Sequence, residues 1–502
     1  MNLRLLLPEL FLTLAALGLL VWDLYLPAGR KHVLCWAAMA VAIVAFGLTF
    51  HPWIAEAASA AAKDLPGAGV EALNKTFGGS WVVDPMSLLL KRAFAVTAAV
   101  VFLMSREYVE ELERAKGEFY VLGLLALIGM FLCASVNDFM SLFVSLEVVT
   151  VSFFVLAAFR RERTASVEAG LKLLVIGSLS AAIMLYGIAF IYGATGTVYF
   201  DAIRAQVAPG IRQNHAELVF GALLVFIGLG FKTSAVPMHV WVPDVYPGAP
   251  TPVTAYLSVG SKLAGFVLVL RVLQVFVGSG AMSEISAFFA LVAALTLLYG
   301  NLGAIPQTNV KRLMGYSSIG QCGYILIGIA AAWTTGLSGA LFYMTAYVLM
   351  NLAAFVVILL VSRATGSHDL EDWNGLARRS PMLGLAMTVA LLSLAGVPPF
   401  MGFFGKFMLL GSAFAKPELI WLGVIGLVNV VIALYFYLCL VKRIYVYEPR
   451  VPTPLSAPPR LRLALIAAVL LLIAGGIAPQ ILERATTEAV EKLGAPSTPQ
   501  RP

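Results

Sequence analysis

Apolar runs of roughly 20 residues recur along the chain and are separated by short charged or Gly- and Pro-rich stretches. About 20 apolar residues let an α-helix cross the hydrocarbon core of a bilayer, and the alternation typical of a transmembrane β-strand is absent. The pattern therefore predicts an all-α polytopic membrane protein with about 14 transmembrane helices. The predicted spans are 4–25, 32–50, 84–105, 118–136, 138–159, 167–194, 216–236, 251–278, 283–304, 310–332, 335–362, 381–414, 418–441 and 461–479.

Composition agrees with a membrane environment. Of the 502 residues, 60% are hydrophobic and only 12% are charged, against roughly 25% charged in a soluble domain. Large apolar patches drive association in water, whereas lipid accepts an apolar exterior, so a soluble enzyme is excluded. The formal net charge of +7 needs no nucleic-acid partner, because charge asymmetry between loops is enough to explain it.

Loop charge predicts the orientation of the chain. If both termini lie outside, the loops near residues 30, 110, 162, 311, 370 and 450 face the cytoplasm and carry roughly twice as many Lys and Arg as the opposite side. We therefore expect a multi-pass membrane protein with both termini on the outer side. Basic pairs such as Lys311 and Arg312 are interpreted as topological anchors. The remaining loops are predicted as an outer loop (51–83), a Pro-rich inner linker (451–459) and a frayed tail (494–502).

The cysteines give no sign of a metal or disulfide site. They are far apart in apolar runs and form no CxxC motif, so neither an iron–sulfur cluster, a zinc site nor a disulfide framework is predicted. They are interpreted as core thiols. The four are Cys35, Cys133, Cys322 and Cys439.

Several basic residues fall inside the predicted spans, where a charge is expensive and is by default a functional hypothesis. For Lys91, Arg92 and Arg271, which lie close to a span end or a loop charge, snorkelling to the interface is at least as good an explanation. Four others are harder to explain in that way, and function is preferred to a structural ion pair. They are Lys172, Lys232, Lys262 and Lys406.

Glu147 is the carboxylate placed deepest in a predicted span, about ten residues from either end. One such carboxylate and several ammonium groups suggest a pair or a chain. A lysine that gains and loses a carboxylate partner changes its affinity for a proton, as a proton-loading site requires. A static buried salt bridge that fixes helix packing is the alternative.

Two of the lysines lie beside predicted helix breaks. Five prolines follow Lys232, and Pro398, Pro399 and Gly402 precede Lys406. Because proline removes a backbone donor and clashes one turn back, both spans should be discontinuous, near residues 232–243 and 396–406. Broken helices at membrane depth face protein or a wet cavity and mark ion pathways in transporters. Lys232 precedes its break, near the partly negative end of a half-helix; this argument does not extend to Lys406.

A weak internal repeat is also visible. The shift that superposes Lys232 on Lys406 places Glu147 on Gln321 and aligns two sets of five spans. An odd number of helices per unit predicts inverted repeats, each supplying one half-channel. The predicted divisions are 1–117 (N-terminal helices and outer loop), 118–278 and 283–445 (the two repeats) and 446–502 (inner linker, last span and tail).

Four stretches, 141–197, 230–266, 309–328 and 396–407, carry a resemblance to a known family. Motifs such as GFKTSAVPMHVWVPDVYPGAPTP and GVPPFMGFFGKF closely resemble subunit N of bacterial NADH-quinone oxidoreductase, an antiporter-like membrane subunit of respiratory complex I. The similarity runs from about residue 80 to 445. Lysine at 406 differs from the glutamate typical of subunit M, and subunit L resembles this core with a long lateral helix added.

The resemblance implies a proton-pumping subunit of an NADH:quinone oxidoreductase with no redox cofactor of its own. NADH, FMN, iron–sulfur clusters and quinone are then expected in partner subunits, which include a neighbouring antiporter-like subunit and small membrane subunits. Loosening of a Glu147–Lys232 pair would shift a proton toward Lys262 and Lys406. Lys172 and His239 match secondary polar positions, although an interfacial histidine beside Trp241 explains His239 equally well.

The chain departs from the family at two positions. Gln321 stands where many relatives have histidine, so a proton stop there must be water or a neighbour. Pro247 replaces an acidic residue common before GAPTP. The rival function is that of a subunit of a multi-subunit cation/proton antiporter, and a third possibility is a structural scaffold with static ion pairs.

Overall fold

The structure, a computed structural model, describes residues 2–62, 74–112, 115–207, 214–332, 334–450 and 453–491. Helices make up almost all of the regular structure in these ranges, and a π-helical turn, Leu257–Ser261, joins α11 to α12. The helices are α1 (Leu7–Tyr25), α2 (Val33–Leu48), α3 (Pro52–Ala62), α4 (Pro85–Glu110), α5 (Lys116–Ser135), α6 (Phe139–Ala157), α7 (Thr164–Thr195), α8 (Phe200–Val207), α9 (His215–Thr233), α10 (Val242–Gly248), α11 (Thr251–Tyr256), α12 (Lys262–Phe276), α13 (Met282–Ala304), α14 (Val310–Ala331), α15 (Thr334–Thr365), α16 (Leu376–Arg379), α17 (Pro381–Ala395), α18 (Met401–Phe414), α19 (Ile420–Tyr445), α20 (Pro459–Ile477) and α21 (Gln480–Glu491).

The all-α, multi-pass architecture is confirmed. Within the described ranges, 12 helices are long and apolar enough to cross a membrane, or 13 if the bent pair Val33–Leu48 and Pro52–Ser59 is one span. The predicted span 381–414 is broken near residues 396–406, as expected, into two shorter apolar helices, α17 and α18. The number 14, the inverted repeats and the four divisions of the chain stay predictions.

Three long segments form the centre of the bundle. The apolar stretch of Thr251–Phe276 is entirely buried within the chain, as are 94% of that of α14 and 83% of that of α15, whereas only 17% of that of α20 is buried. Close crossings bring the central helices together: a Cβ added to Gly300 of α13 would lie 2.3 Å from the backbone nitrogen of Gly320 in α14. Small residues at such crossings let helix backbones approach. Lys262 lies on the most deeply buried of these segments.

Polar residues at helix starts set where several spans begin. Asp84 caps α4, accepting from the backbone N–H of Ser87 at 2.7 Å, and Asp138 caps α6, accepting from that of Ser141 at 2.8 Å. These bonds satisfy amide groups that the first turn of a helix leaves without a partner.

Buried ion pairs tie the helices together, and they correct one interpretation. The Lys91 ammonium lies 2.6 Å from the Glu9 carboxylate, with both side chains almost fully buried. Arg271 donates to both carboxylate oxygens of Asp84, at 2.6 and 2.9 Å. Snorkelling is therefore the wrong explanation for Lys91 and Arg271. It fits only Arg92, which is half-buried and donates to Thr49 at 3.1 Å.

The outer loop and the C-terminal region contain regular structure in addition to the membrane spans. The 51–83 segment includes α3 and two antiparallel strands, β1 (Lys75–Thr76) and β2 (Trp81–Val82). The helix α21 was not predicted, and it packs against α4 and α15. The predicted tail, 494–502, lies outside the described residues, as do the first two residues of the 451–459 linker.

Of the four cysteines, three are buried as expected. Cys439 is exposed on α19, so the core interpretation is wrong for that residue. In the part of the chain that the structure describes, no three His, Cys, Asp or Glu side chains are grouped so that they could hold a metal ion.

Candidate functional site

The deep charges of the sequence lie on four helices around the bundle centre. Three of them, Lys232, Lys262 and Lys406, are at most 4% exposed. Glu147 lies near the middle of α6, as predicted, but is only half-buried within the chain. Burial alone therefore does not single out Glu147 among the carboxylates, because Glu9, Asp84 and Glu107 are more buried and paired with cations.

Lys232 is the penultimate residue of α9, which ends because Ser234 adopts a left-handed backbone conformation with φ of 62°. The predicted position at the end of a half-helix is confirmed. Gly265 of α12 packs against this lysine so closely that an added Cβ would lie 2.6 Å from Lys232 Cβ. The ammonium lies 5.4 and 5.9 Å from the ring centroids of Phe231 and Phe153.

The predicted Glu147–Lys232 pair is not a closed salt bridge. Among the described residues no Lys or Arg nitrogen lies within 4.0 Å of the Glu147 carboxylate, and the Lys232 ammonium has no hydrogen-bond partner. The two charges still interact through space. Neither group is therefore locked by the other, which leaves the interaction free to strengthen or weaken.

Lys262 is the first residue of α12, directly after the π-helical turn. Its ammonium donates to the carbonyl oxygen of Ser318 at 3.0 Å and to the hydroxyl of the same residue. That hydroxyl also bonds the phenols of Tyr347 at 2.6 Å and Tyr246 at 3.1 Å. Since π-turns are frequent at functional sites, a lysine held directly after one is a strong candidate.

Lys406 corrects an expectation about the second break. The helix α17 ends because Gly396 has φ of 86°, and the side chain of Lys406 reaches back over the break. Its ammonium donates to the carbonyl oxygens of Leu394 at 2.8 Å and Ala395 at 3.2 Å. The partly negative helix end therefore does stabilise this cation, contrary to the prediction. The ring of Tyr324 covers the ammonium at 4.1 Å.

Two sets of hydrogen-bonded groups, one around Lys262 and one around Lys406, meet at the adjacent residues Ser318 and Ser317 of α14. Next to Ser318, which holds Lys262, the hydroxyl of Ser317 bonds Tyr437 at 2.5 Å. Tyr437 in turn accepts from the Gln321 amide at 2.9 Å, and the same amide nitrogen donates to the Leu394 carbonyl at 3.1 Å. That carbonyl also accepts from Lys406. Gln321 thus shares an acceptor with the second lysine, and Tyr343 donates to its side-chain oxygen.

The sequence analysis did not predict the serine and tyrosine hydroxyl groups around the two lysines. Serine and tyrosine are common in apolar helices, and nothing in their local sequence marks them as partners of a lysine. The one available signal is spacing: Tyr343, Tyr347 and Asn351 follow at intervals of four and so lie on one face of α15.

Comparison with known proteins assigns the chain to a family. The profile of the NADH:quinone oxidoreductase/Mrp antiporter transmembrane family matches residues 136–433, which include Glu147 and the three buried lysines. The chain is 38% identical over 487 residues to NADH-quinone oxidoreductase subunit N of Moorella thermoacetica, covering 95% of this chain and 96% of that relative. The chain belongs to the family of NADH-quinone oxidoreductase N subunits.

Solved structures agree with this assignment to the N-subunit family. A chain of respiratory complex I from Thermus thermophilus with bound aureothin is 30% identical, with a TM-score of 0.78, and the match covers 96% of this chain and 100% of that chain. A chain of the Mrp complex from a Dietzia species is 22% identical, with a TM-score of 0.84 and 98% of each chain covered. The latter likeness shows a shared fold.

Lys172 and His239, the two secondary positions predicted from the sequence, have different surroundings in this member of the N-subunit family. Lys172 is 37% exposed and pairs with Glu168 and Asp244, each at 2.7 Å, so it does not join the buried lysines. It lies only two turns from the start of α7, within reach of loop charge. His239 is buried, with its ring 4.1 Å from that of Tyr299, so it is not an exposed interfacial residue. Neither ring nitrogen of His239 has a partner in the described chain.

One lysine that the sequence indicates as a topological anchor is buried in the structure. Lys311 is 1% exposed and donates to the carbonyl oxygens of Ala249 at 2.6 Å and Pro247 at 3.3 Å, at the end of α10. The anchor interpretation is therefore wrong for Lys311, while Arg312 is exposed and lies 3.4 Å from Asp244. Lys311 and Lys406 thus both place an ammonium on the carbonyl end of a short helix.

Proposed function

We propose that this chain is the proton-translocating membrane subunit of an NADH-quinone oxidoreductase. Electron transfer from NADH to quinone would take place in partner subunits and drive proton movement through the buried lysines. The observation that carries the proposal is the position of Lys262 and Lys406 in two hydrogen-bonded sets that meet at the adjacent residues Ser318 and Ser317, with both ammonium groups held by neutral oxygen atoms. The subunit N relatives support the same function.

The contacts of Lys262 and Lys406 with neutral oxygen atoms suit proton transfer. A carbonyl or hydroxyl oxygen stabilises an ammonium group without adding a negative charge that would hold the proton permanently. Loss of the proton from Lys406 leaves a neutral amine between two carbonyls and a ring, which is a tolerable buried arrangement. A closed buried salt bridge, in contrast, would leave an uncompensated carboxylate when its lysine becomes neutral.

The order of events follows from the contacts. Redox chemistry in partner subunits would alter the charge near Glu147, which faces the outside of the chain in part. This weakens the attraction that Glu147 exerts on Lys232, and the proton moves toward Lys262. Gly265, which touches Lys232, is three residues from Lys262 on α12 and so brings the two lysines to neighbouring turns. The proton would then cross from the Lys262 set to the adjacent Ser317 and continue by way of Tyr437 toward Lys406.

Tyr437 is the hydroxyl that compensates for glutamine at position 321. We expect Tyr437→Phe to lower proton pumping severalfold, because it removes the one group that bonds both Ser317 and Gln321. Tyr435→Phe is the matched control, since Tyr435 lies two residues away on α19 and is 59% exposed. Pumping is measured in vesicles with NADH as electron donor. Equal pumping by the two variants would remove Tyr437 from the path.

The Glu147–Lys232 step provides the direct test of the proposed function. Lys232→Ala and Glu147→Gln are each expected to lower NADH-driven pumping while the complex still assembles, because neither side chain forms a hydrogen bond or salt bridge with the described residues. Glu418→Gln, at an exposed carboxylate, is the control. Full pumping in an assembled Glu147→Gln complex would contradict the proposal.

Further parts of the proposal concern the surroundings of the chain. NADH, FMN, iron–sulfur clusters and quinone are assigned to partner subunits, and the neighbours are a second antiporter-like subunit and small membrane subunits. Both termini are assigned to the periplasmic side of the bacterial inner membrane. Protease accessibility of a tag placed after the last residue, in right-side-out and inverted vesicles, tests the orientation.

A cation/proton antiporter subunit is the second candidate, because the matching family profile covers both classes and the Dietzia Mrp chain shares the fold. The N-subunit relatives, at 38% identity over nearly the whole chain, favour the oxidoreductase. Purification of the intact membrane complex decides between them: co-purifying iron–sulfur and quinone-site subunits support the first function, and a set of small antiporter subunits supports the second.

A further inference from the structure

Two adjoining cavities lie where the end of α6 meets the start of α7. The larger measures about 920 Å³ and the smaller about 250 Å³. Both are lined by Glu111, Arg160 and Arg163. Because these three residues line both cavities, the two cavities lie side by side at this point.

The larger cavity is a mainly apolar groove on the outer surface of the helix bundle. Its walls include Val155, Leu171 and Leu174, which are 43%, 56% and 44% exposed on helices that cross the membrane. From Val167 to Leu174 the groove follows α7 for roughly 10 Å. This depth stays within one leaflet, which is about half of a hydrocarbon core of about 30 Å.

The smaller cavity is polar and positively charged. Lys311, Arg363 and His368 line it in addition to the shared residues. Arg160 and Arg363 both donate to the single carboxylate of Glu111, at 3.3 and 2.9 Å. The positive charges in the walls of this cavity therefore outnumber the negative ones.

Two of the cations are placed to receive an anion. The guanidinium of Arg160 packs over the ring of Tyr108 at 5.0 Å, which fixes its direction. Arg163 precedes the first residue of α7, and no carboxylate in the described chain lies within 4.0 Å of it. The start of a helix 32 residues long adds partial positive charge beside it.

Two buried polar atoms in the wall of the smaller cavity have no hydrogen-bond partner in the described chain, as expected of groups that contact a ligand. The hydroxyl of Tyr108, whose side chain is 8% exposed, and Nδ1 of His368 are buried and have no hydrogen-bond partner in the described chain. Both residues line the smaller cavity. Burial, together with the charges of Lys311 and Arg163, lowers the pKa of His368 to about 4. The imidazole is therefore neutral at pH 7 and can accept or donate one hydrogen bond.

We propose that the two cavities together bind one anionic phospholipid, with its phosphate between Arg160 and Arg163 and an acyl chain in the groove along Leu171 and Leu174. A free phosphate would use only the smaller cavity and leave the apolar groove unexplained. Basic pockets between transmembrane helices on the cytoplasmic side suit such headgroups, and the loops that form this pocket are those predicted to face the cytoplasm. The proposal is independent of the proton path.

The test uses the full-length chain in its purified membrane complex. After delipidation in detergent, the complex receives phosphatidylglycerol, phosphatidylcholine or inorganic phosphate, and lipid retained per chain is counted by mass spectrometry. We expect phosphatidylglycerol to be retained in preference to phosphatidylcholine, and inorganic phosphate not to displace it. The double variant Arg160→Gln/Arg163→Gln should bind phosphatidylglycerol about thirtyfold more weakly, since each surface arginine contributes about 1 kcal/mol toward an anionic lipid.

Arg378→Gln is the matched control, because Arg378 is an exposed arginine outside both cavities on the same predicted side. It should leave retention unchanged. If the double variant does not assemble, Arg163→Gln alone serves, since Arg163 makes no ion pair with the residues that the structure describes. Equal retention of the two lipids, unchanged retention in the arginine variants, displacement by inorganic phosphate, or a segment of a partner subunit filling the groove would each overturn the proposal.

Discussion

Lys406→Met is expected to abolish proton movement through this chain while NADH oxidation and assembly of the complex are retained. Methionine has a similar length and fills the same space between Gly396 and the ring of Tyr324, but it cannot bind a proton. The carbonyls of Leu394 and Ala395 lose a donor, which costs about 1–3 kcal/mol for each group left buried without a partner. Vesicles supplied with NADH, with pumping followed by a pH-sensitive dye, give the readout.

Lys406→Arg separates proton transfer from a structural role. Arginine keeps the positive charge and the donors for the two carbonyls, but it does not release its proton in a protein. If Lys406 only holds the broken helix together, the arginine variant should pump normally. If it must load and release a proton, the arginine variant should fail as the methionine variant does. Lys416→Met, at a partly buried lysine beyond the end of the same helix, is the control and should pump normally.

The positions of the helix breaks and of the deep lysines could be predicted from sequence because both depend on local chemistry. Proline prevents continuation of a helix wherever the rest of the chain lies, and a lysine in a long apolar run is costly in any fold. Lys232 at the end of α9 illustrates this. The direction of a side chain after a break is a different matter: Lys406 points back to α17 because α18 packs beside it, and such packing has no local signal.

Ion pairs between residues that are far apart in the sequence could not be predicted either. Nothing near Lys91 indicates that Glu9 lies beside it, and Asp84 and Arg271 are 187 positions apart. These contacts arise from the way α1, α4 and α12 pack. The sequence alone therefore predicts only that burying these cations costs free energy. The interpretation of Lys311 as an anchor was wrong for a related reason. A basic residue at the end of a span has the sequence pattern of an anchor, and only the fold shows that helix carbonyls surround it.

The buried pair of Arg271 and Asp84 gives the largest expected effect on stability. Arg271→Met should destabilise the chain by about 3–5 kcal/mol, because it leaves the Asp84 carboxylate buried without its cation. Arg271 also donates to the Ala134 carbonyl at 2.6 Å, so three helices lose a common contact. The measurement is the yield of folded chain and the midpoint of thermal unfolding in detergent. Arg92→Met is the control, since Arg92 is half-buried and pairs with no carboxylate in the described chain.

A double variant decides whether charge is the cause. Asparagine caps a helix about as well as aspartate, so Asp84→Asn keeps the bond from the Ser87 amide at the start of α4 while it removes the negative charge. Asp84→Asn combined with Arg271→Met should therefore recover most of the stability that Arg271→Met loses, since replacing a buried pair by neutral groups is often nearly neutral. If the double variant is as unstable as Arg271→Met, the loss comes from packing around the guanidinium and from the Ala134 bond rather than from an unpaired carboxylate.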